Sequence, residues 1–118
     1  MMRPSGDLQR VYLCRQAVDF RKGMHSLAVL VEQSLGLDPF AEALYVFTNR
    51  RRDAVKCLYW ERNGFCLWHK RLEAERFQWP RHLGGAVTLS GQELNWLLDG
   101  YDLRHLRPHK ALEYKTVL

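Results

Sequence analysis

Arg50-Arg51-Arg52 place three guanidiniums on consecutive positions of a short connection. Charges this close repel one another unless an anion lies nearby, and a projecting basic loop can lie along phosphates or enter a groove. The competing reading is a solvated turn, where charge is ordinary composition. A second basic stretch, Asp19-Phe20-Arg21-Lys22-Gly23, lies just ahead of a helical pattern. Cations at a helix start oppose the macrodipole, and an anion bound to the free N–H groups there would offset that cost. Alternatively, Asp19 pairs with Arg21 or caps the helix. The glycine spacing and Lys-Ser/Thr pair of a nucleotide-hydrolysing phosphate loop are missing.

A third set surrounds Asn63-Gly64. Between two apolar-aromatic runs this dipeptide predicts a type I′ hairpin turn. Pairing about that turn sets Trp60 opposite Leu67, Tyr59 opposite Trp68 and Lys56 opposite Arg71. The last is a like-charge pair that a phosphate would relieve. Tyr59 and Trp68 fall on the other face of the hairpin. If one face covers the helices, the other is either a stacking platform for unpaired bases or, on the plainer reading, core. The candidate nucleic-acid-binding residues are therefore Arg21, Lys22, Arg50, Arg51, Arg52, Lys56, Lys70 and Arg71. Tyr59, Trp68 and Trp79 are candidates for stacking or partner contact, with Trp96 as core or partner contact.

Acid–base and metal chemistry find little support. His105 and His109 have helical ligand spacing, but Pro108 lies between them and no second ligand pair is placed. Asp19, Asp38 and Asp53 form no recognisable nuclease motif, and no Ser/His/Asp or Cys/His arrangement stands out. No catalytic residue, metal or cofactor is assigned.

These residues need a scaffold, and the sequence predicts one. Residues 10–15 read as a strand and 16–23 as a loop. Met24, Leu27, Ala28, Val31 and Leu35 then share one helical face, with Gly36 as the stop and Pro39 beyond it. Residues 43–48, 54–61 and 65–73 read as strands, 76–80 as an optional edge segment and 86–89 as a short strand. Ser90-Gly91-Gln92-Glu93 is a capping box, with Leu89 and Leu94 as its staple, and Gly100 ends the helix. The order β-α-β-β-β-(β)-α implies an α+β fold, a small mostly antiparallel sheet with two packed helices. Residues 1–100 form one domain. Residues 101–118 are a basic C-terminal extension, either disordered or docked on a partner.

Composition bounds the function. The 118 residues carry 18 Lys+Arg against 13 Asp+Glu, net +5, and 47% are hydrophobic, enough for a core. Most of the cations are arginine, which suits bidentate phosphate contacts and stacking on bases. Three scattered cysteines, an odd number, make a poor disulfide framework. No apolar run has membrane-spanning length and no signal peptide is read at the start. A cytoplasmic protein is expected, with no membrane partner.

Taken together, several stretches resemble one family. They include Val11-Tyr12-Leu13, Asp19-Phe20-Arg21-Lys22-Gly23, Leu35-Gly36-Leu37-Asp38-Pro39-Phe40 and the run from Leu44-Tyr45-Val46-Phe47 through Thr48-Asn49-Arg50-Arg51-Arg52-Asp53. Lys56-Cys57-Leu58-Tyr59-Trp60, Asn63-Gly64-Phe65, Lys70-Arg71-Leu72-Glu73 and Arg76-Phe77-Gln78-Trp79-Pro80 complete the set. From about Val11 to Gly100 the chain is similar to the TnpB-type, second-open-reading-frame accessory protein of the insertion-sequence family numbered sixty-six. That family is distinct from the RNA-guided nuclease sharing the TnpB name. Two departures are Phe20, where many relatives carry Met, and His69, where an aromatic or other residue is usual. The resemblance implies a bacterial transposition accessory protein beside a larger transposase that carries the catalytic acids. It implies DNA at the element ends and the transposase as partners, and leaves open a second copy of the chain. It carries over no catalytic position. Two roles remain open, a nucleic-acid-binding factor and a protein–protein adaptor that docks the transposase. A metal-dependent nuclease is a third, weaker alternative.

Overall fold

Alternation of apolar residues along the strands builds two cores, one on each side of a single sheet. The computed structural model describes residues 10–80 and 86–103. The elements are β1 (Val11–Cys14), α1 (Met24–Gln33), β2 (Leu44–Thr48), β3 (Ala54–Glu61), β4 (Gly64–Arg71), β5 (Ala86–Leu89) and α2 (Gly91–Leu98). Their spatial order is β4-β3-β2-β1-β5. β1 and β2 are parallel, joined across α1 as a parallel pair requires, and the remaining pairs are antiparallel. The α+β class, the element order and the mostly antiparallel sheet agree with expectation.

The helices lie on opposite faces. Leu27, Ala28 and Val31 of α1 pack with Cys14, Tyr45, Phe47 and Leu58. Leu94, Leu97 and Leu98 of α2 pack with Val11, Leu13, Val46, Val55, Cys57 and Val87. β2 is buried along its whole length because both its faces are covered. This corrects the idea of one covered face and one open platform: Tyr59 and Trp68 pack partly buried against the α2-side core.

The helix ends follow their local signals. Ser90 and Glu93 form the reciprocal capping box, with Ser90 Oγ accepting from Glu93 N at 3.0 Å and Ser90 N donating to Glu93 Oε1 at 2.9 Å. Gly36 and Gly100 take φ +67° and +99° just past α1 and α2. Met24, expected on the inward face of α1, is 42% exposed, and the buried face of the helix is formed by Leu27, Ala28 and Val31. Residues 76–80 are not a strand. They form a strap whose Phe77 and Trp79 are buried in the α2-side core. Leu103, beyond the expected domain end at residue 100, is buried in the same core. The Gly84-Gly85 loop, the first nine residues and the extension from residue 104, with His105 and His109, lie outside the described residues.

The hairpin register differs from the expected one. Glu61 pairs with Gly64, so the turn is Arg62-Asn63, one residue earlier than Asn63-Gly64. Arg62 takes φ +54° and Asn63 N donates to the Glu61 carbonyl, the i→i+2 bond of a γ-turn. Moving the turn centre by one residue moves every partner by two, which keeps each side chain on its face. Trp60 thus faces Phe65, Tyr59 faces Cys66, Lys56 faces His69 and Arg71 faces Ala54. The expected opposition of Lys56 and Arg71 does not occur. This register avoids that repulsion, sets two aromatic rings side by side, and brings Arg71 to Asp53.

Candidate nucleic-acid interface

The loop carrying the three arginines is held rigidly by the residues before and after them. Asn49 Oδ1 accepts from Asp53 N and Ala54 N, both at 3.2 Å, and Asn49 Nδ2 donates to Asp53 Oδ1 at 2.7 Å. Arg52 N donates back to the Asn49 carbonyl at 3.0 Å, and Arg52 itself takes φ +58°. Buried Thr48 closes the neck, its Oγ1 donating to the Ala54 carbonyl at 2.9 Å. The chain after β4 clasps the same loop: Leu72 N donates to Asp53 O and Phe77 N to Arg52 O, each at 2.7 Å. Sequence reading missed Thr48 and Asn49 as positioning residues. The only available signal was an Asn opening a tight connection, where Asn and Asp side chains favour turns.

The other basic stretch is folded onto this loop from the far side of the chain. Val18 N donates to the Thr48 carbonyl at 2.9 Å. Asp19 Oδ1 accepts from Arg21 N at 2.9 Å, and its carboxylate takes Arg21 Nε and the nearer terminal nitrogen, the latter at 2.7 Å. Asp19 therefore pairs with Arg21 and does not cap α1, whose N-cap is Gly23, without a side-chain cap. Beneath the stretch lies Lys56, only 8% exposed. Its ammonium donates to the carbonyls of Phe20 at 2.9 Å and Lys22 at 3.3 Å, and sits 4.8 Å from the centroid of the Phe20 ring. A buried ammonium must be hydrogen-bonded, and here the bonds it needs tie residues 20–22 to β3.

Between the two loops lies a cleft of about 610 Å³. Ala17, Val18 and Phe20 contribute apolar lining, and Arg21, Arg50, Arg51 and Arg71 contribute four guanidiniums against the single carboxylate of Asp19. A neighbouring hollow of about 390 Å³ shares Ala17, Val18 and Asp19 and adds Arg15 and Lys22. Among the described residues Arg50 makes no ion pair. Arg51 and Arg71 both approach Asp53 Oδ2, at 3.9 and 3.3 Å. Arg51 keeps 78% of its side chain exposed.

The cleft carries an excess of positive charge. Arg21 holds the Asp19 carboxyl well below the usual carboxylate range. The Asn49 hydrogen bond, then the nearby Arg71 and Arg51, lower Asp53 as well. Both acids are thus ionised at neutral pH and serve as anchors for guanidiniums. His69 lies edge-on to Phe20, ring centroids 5.8 Å apart. Burial, then Lys56 and Arg71, push its pKa down, so it adds little charge at neutral pH. Buried Cys57 has its thiol pushed far up by burial alone, which makes it an inert core residue.

The expected site residues separate into three groups. Arg21, Arg50, Arg51 and Arg71 share the cleft, and Lys22 lines the adjoining hollow. Arg52 belongs to the loop, with a left-handed backbone, and is not part of the cleft lining. Lys56 and Lys70 are engaged elsewhere, Lys56 as described and Lys70 donating to the Leu98 carbonyl at the end of α2, 3.2 Å away. Trp79 is buried, its Nε1 donating to the Cys14 carbonyl at 2.9 Å. At the turn end of β3 and β4, sequence reading missed a different aromatic group. Phe40, 55% exposed, packs on Trp60 and Phe65 with centroids 5.0 and 5.4 Å away. The three acids Asp19, Asp38 and Asp53 form no cluster. Asp38 is engaged at the exit from α1, with its Oδ1 accepting from Phe40 N and its carbonyl from Tyr45 Oη. Among the described residues no group of three His, Cys, Asp or Glu is placed to hold a metal ion. No helix among them is long and apolar enough to cross a membrane.

Comparison with known proteins places the chain in a family. Two uncharacterized proteins of Sinorhizobium fredii are similar over most of their length. One, y4hO, is 40% identical over 104 residues, 88% of this chain and 90% of the relative. The other, y4jC, is 38% identical over 102 residues, 86% of each. No solved structure matches. The family described as "IS66 Orf2 like protein" matches residues 9–108, somewhat beyond the stretch carried by the motifs. That match covers most of the sequence and both arginine-bearing loops, and the chain belongs to the IS66 Orf2-like family.

Proposed function

We propose that this protein is a transposition accessory factor that binds nucleic acid through the arginine-lined cleft, working beside a separate transposase. The observation that carries this reading is the convergence of Arg21, Arg50, Arg51 and Arg71 on one cavity from three separate segments. Guanidiniums gathered so closely, with Asp19 and Asp53 offsetting only part of their charge, favour a polyanion. Family membership supplies the setting, an accessory role in movement of an insertion sequence. No catalytic constellation is assigned, and the covalent chemistry falls to the transposase.

The test is a salt titration of binding to a labelled terminal repeat of the element, with scrambled DNA as the control. Four phosphate contacts give a slope of log affinity against log salt of about −3 to −4. Arg50→Ala with Arg51→Ala is expected to weaken binding at least ten-fold while the thermal transition stays in place. Affinity unchanged by the double substitution would refute the assignment to the cleft.

One observation favours an adaptor role as a second reading. Phe40, Trp60 and Phe65 form a partly exposed aromatic group at the far end of the hairpin, a composition enriched in protein interfaces. This reading expects a complex with the transposase that survives without DNA and at moderate salt, and that Phe40→Ser disrupts.

A further inference from the structure

We infer that the cleft accepts an unpaired strand, one or two nucleotides of single-stranded DNA, in preference to duplex. The inference rests on the nucleic-acid reading above and narrows its ligand.

Shape is the first reason. Proteins that read a duplex insert a convex helix or ribbon into a groove roughly 6 to 12 Å wide. Here the guanidiniums surround a recess of about 610 Å³, a size common to small-ligand pockets, about 300–1,000 Å³. A strand segment fits such a recess, whereas a duplex touches only its rim. Lining is the second reason. Ala17, Val18 and Phe20 face the same cavity as the arginines. A duplex turns phosphates and sugars outward and keeps the faces of its bases stacked, out of reach of a recessed apolar surface. An unpaired nucleotide brings the face of its base together with its phosphate, and sites for single strands combine a basic groove with an aromatic contact.

The aromatic contact is also fixed in advance. Lys56 stands over the Phe20 ring, its ammonium bonded to the carbonyls of Phe20 and Lys22, and His69 meets the ring edge-on. A ring held in place loses little freedom when a base arrives. Asp53 likewise orients Arg71, leaving a planar cation at the cavity wall. The adjoining hollow is bounded by the same Ala17, Val18 and Asp19, adds Arg15 and Lys22, and reaches Leu30, Ser34 and Leu35 at the end of α1, a second basic recess beside the first.

The experiment measures fluorescence anisotropy of the full chain with a labelled mixed-sequence 12-mer, as a single strand and as the matching duplex, at one fixed salt concentration. The single strand is expected to bind at least ten-fold tighter. Phe20→Leu, which keeps an apolar side chain, is expected to weaken single-strand binding five-fold or more and duplex binding by less. Photo-crosslinking of a bromouracil-bearing strand to the wild-type chain provides a readout independent of that variant's folding, with adducts expected within residues 17–21. Duplex binding equal to or tighter than single-strand binding, still lost on Arg50→Ala with Arg51→Ala, overturns this inference and leaves the nucleic-acid reading standing. So do adducts confined to other segments. Absence of binding to either form, or binding indifferent to those arginines, overturns both.

Discussion

The two ends of the β3–β4 hairpin are built on opposite principles. At the open end, Ala54 and Arg71 lead into the arginine loop, where order comes from hydrogen bonds and ion pairs: Asn49 to three groups, Thr48 to Ala54, Arg71 to Asp53, and Arg51 paired with Asp53 at longer range. At the turn end, order comes from rings: Trp60 against Phe65 at 5.1 Å, with Phe40 laid over both. The polar end is directional, so it can hold like charges at defined positions around a cavity. The apolar end is adaptable and carries exposed ring surface. On the proposed reading, one hairpin separates an anion site from a protein-docking surface, and each is expected to be disturbed without the other.

The sharpest break is expected from Lys56→Met. The ammonium is the tie between β3 and residues 20–22, and charged hydrogen bonds contribute about 1.5–3 kcal/mol. Nucleic-acid affinity is expected to fall at least ten-fold although Lys56 is outside the cleft lining, with a lowered thermal midpoint. Hydrogen exchange should quicken at Arg21 and Lys22 while the amides around Phe40 and Trp60 keep their protection. Equal quickening at both ends would remove the contrast.

Asn49→Ala comes next. It strips the acceptor from Asp53 N and Ala54 N, a cost of about 1–3 kcal/mol by denaturant unfolding. It also removes the largest influence lowering Asp53, whose NMR titration is expected to move up toward the ordinary carboxylate value. In the wild type that lowered value stabilises the fold at neutral pH, and the contribution is lost as pH falls through the native Asp53 value.

Phe40→Ala should cost less, about 0.5–1.5 kcal/mol for an aromatic contact that is half exposed. Nucleic-acid affinity should not change. A ten-fold loss of binding would show that the two ends are coupled.

The smallest effect concerns His69, whose native pKa lies below the ordinary value of about 6.5. The unfolded chain takes up this proton first. Stability is therefore unaffected above about 6.5 and declines as pH falls from there through the native value. A polyanion bound at Arg71 removes part of the repulsion, so the His69 midpoint in NMR should rise on binding. A midpoint that does not move would place the anion away from Arg71.

Much of this protein was determined by local sequence. The capping box at Ser90 and Glu93, the glycine stops at Gly36 and Gly100, and the strand and helix order each depend on residues within one turn or one alternation, where propensity and patterning act. The arginine-bearing loops were legible as charge. Their convergence was not, because Val18 meets Thr48 and Lys56 meets Phe20 across long stretches of chain, and only packing of α1 across the parallel pair brings them together. The hairpin register turned on the same issue. Asn63-Gly64 favoured one turn locally, but ring packing of Phe40 on Trp60 and Phe65, and Asp53 beside Arg71, accompany a register displaced by two residues. Whether a lysine served the surface or the interior was likewise a tertiary matter. Lys56 and Lys70 have the same local character as other hairpin cations, yet each meets a backbone carbonyl that only the folded chain brings within reach. Short-range propensities act wherever their residues occur, whereas a cavity, a register or a buried ammonium depends on contacts between distant residues, and those exist only once the chain has closed.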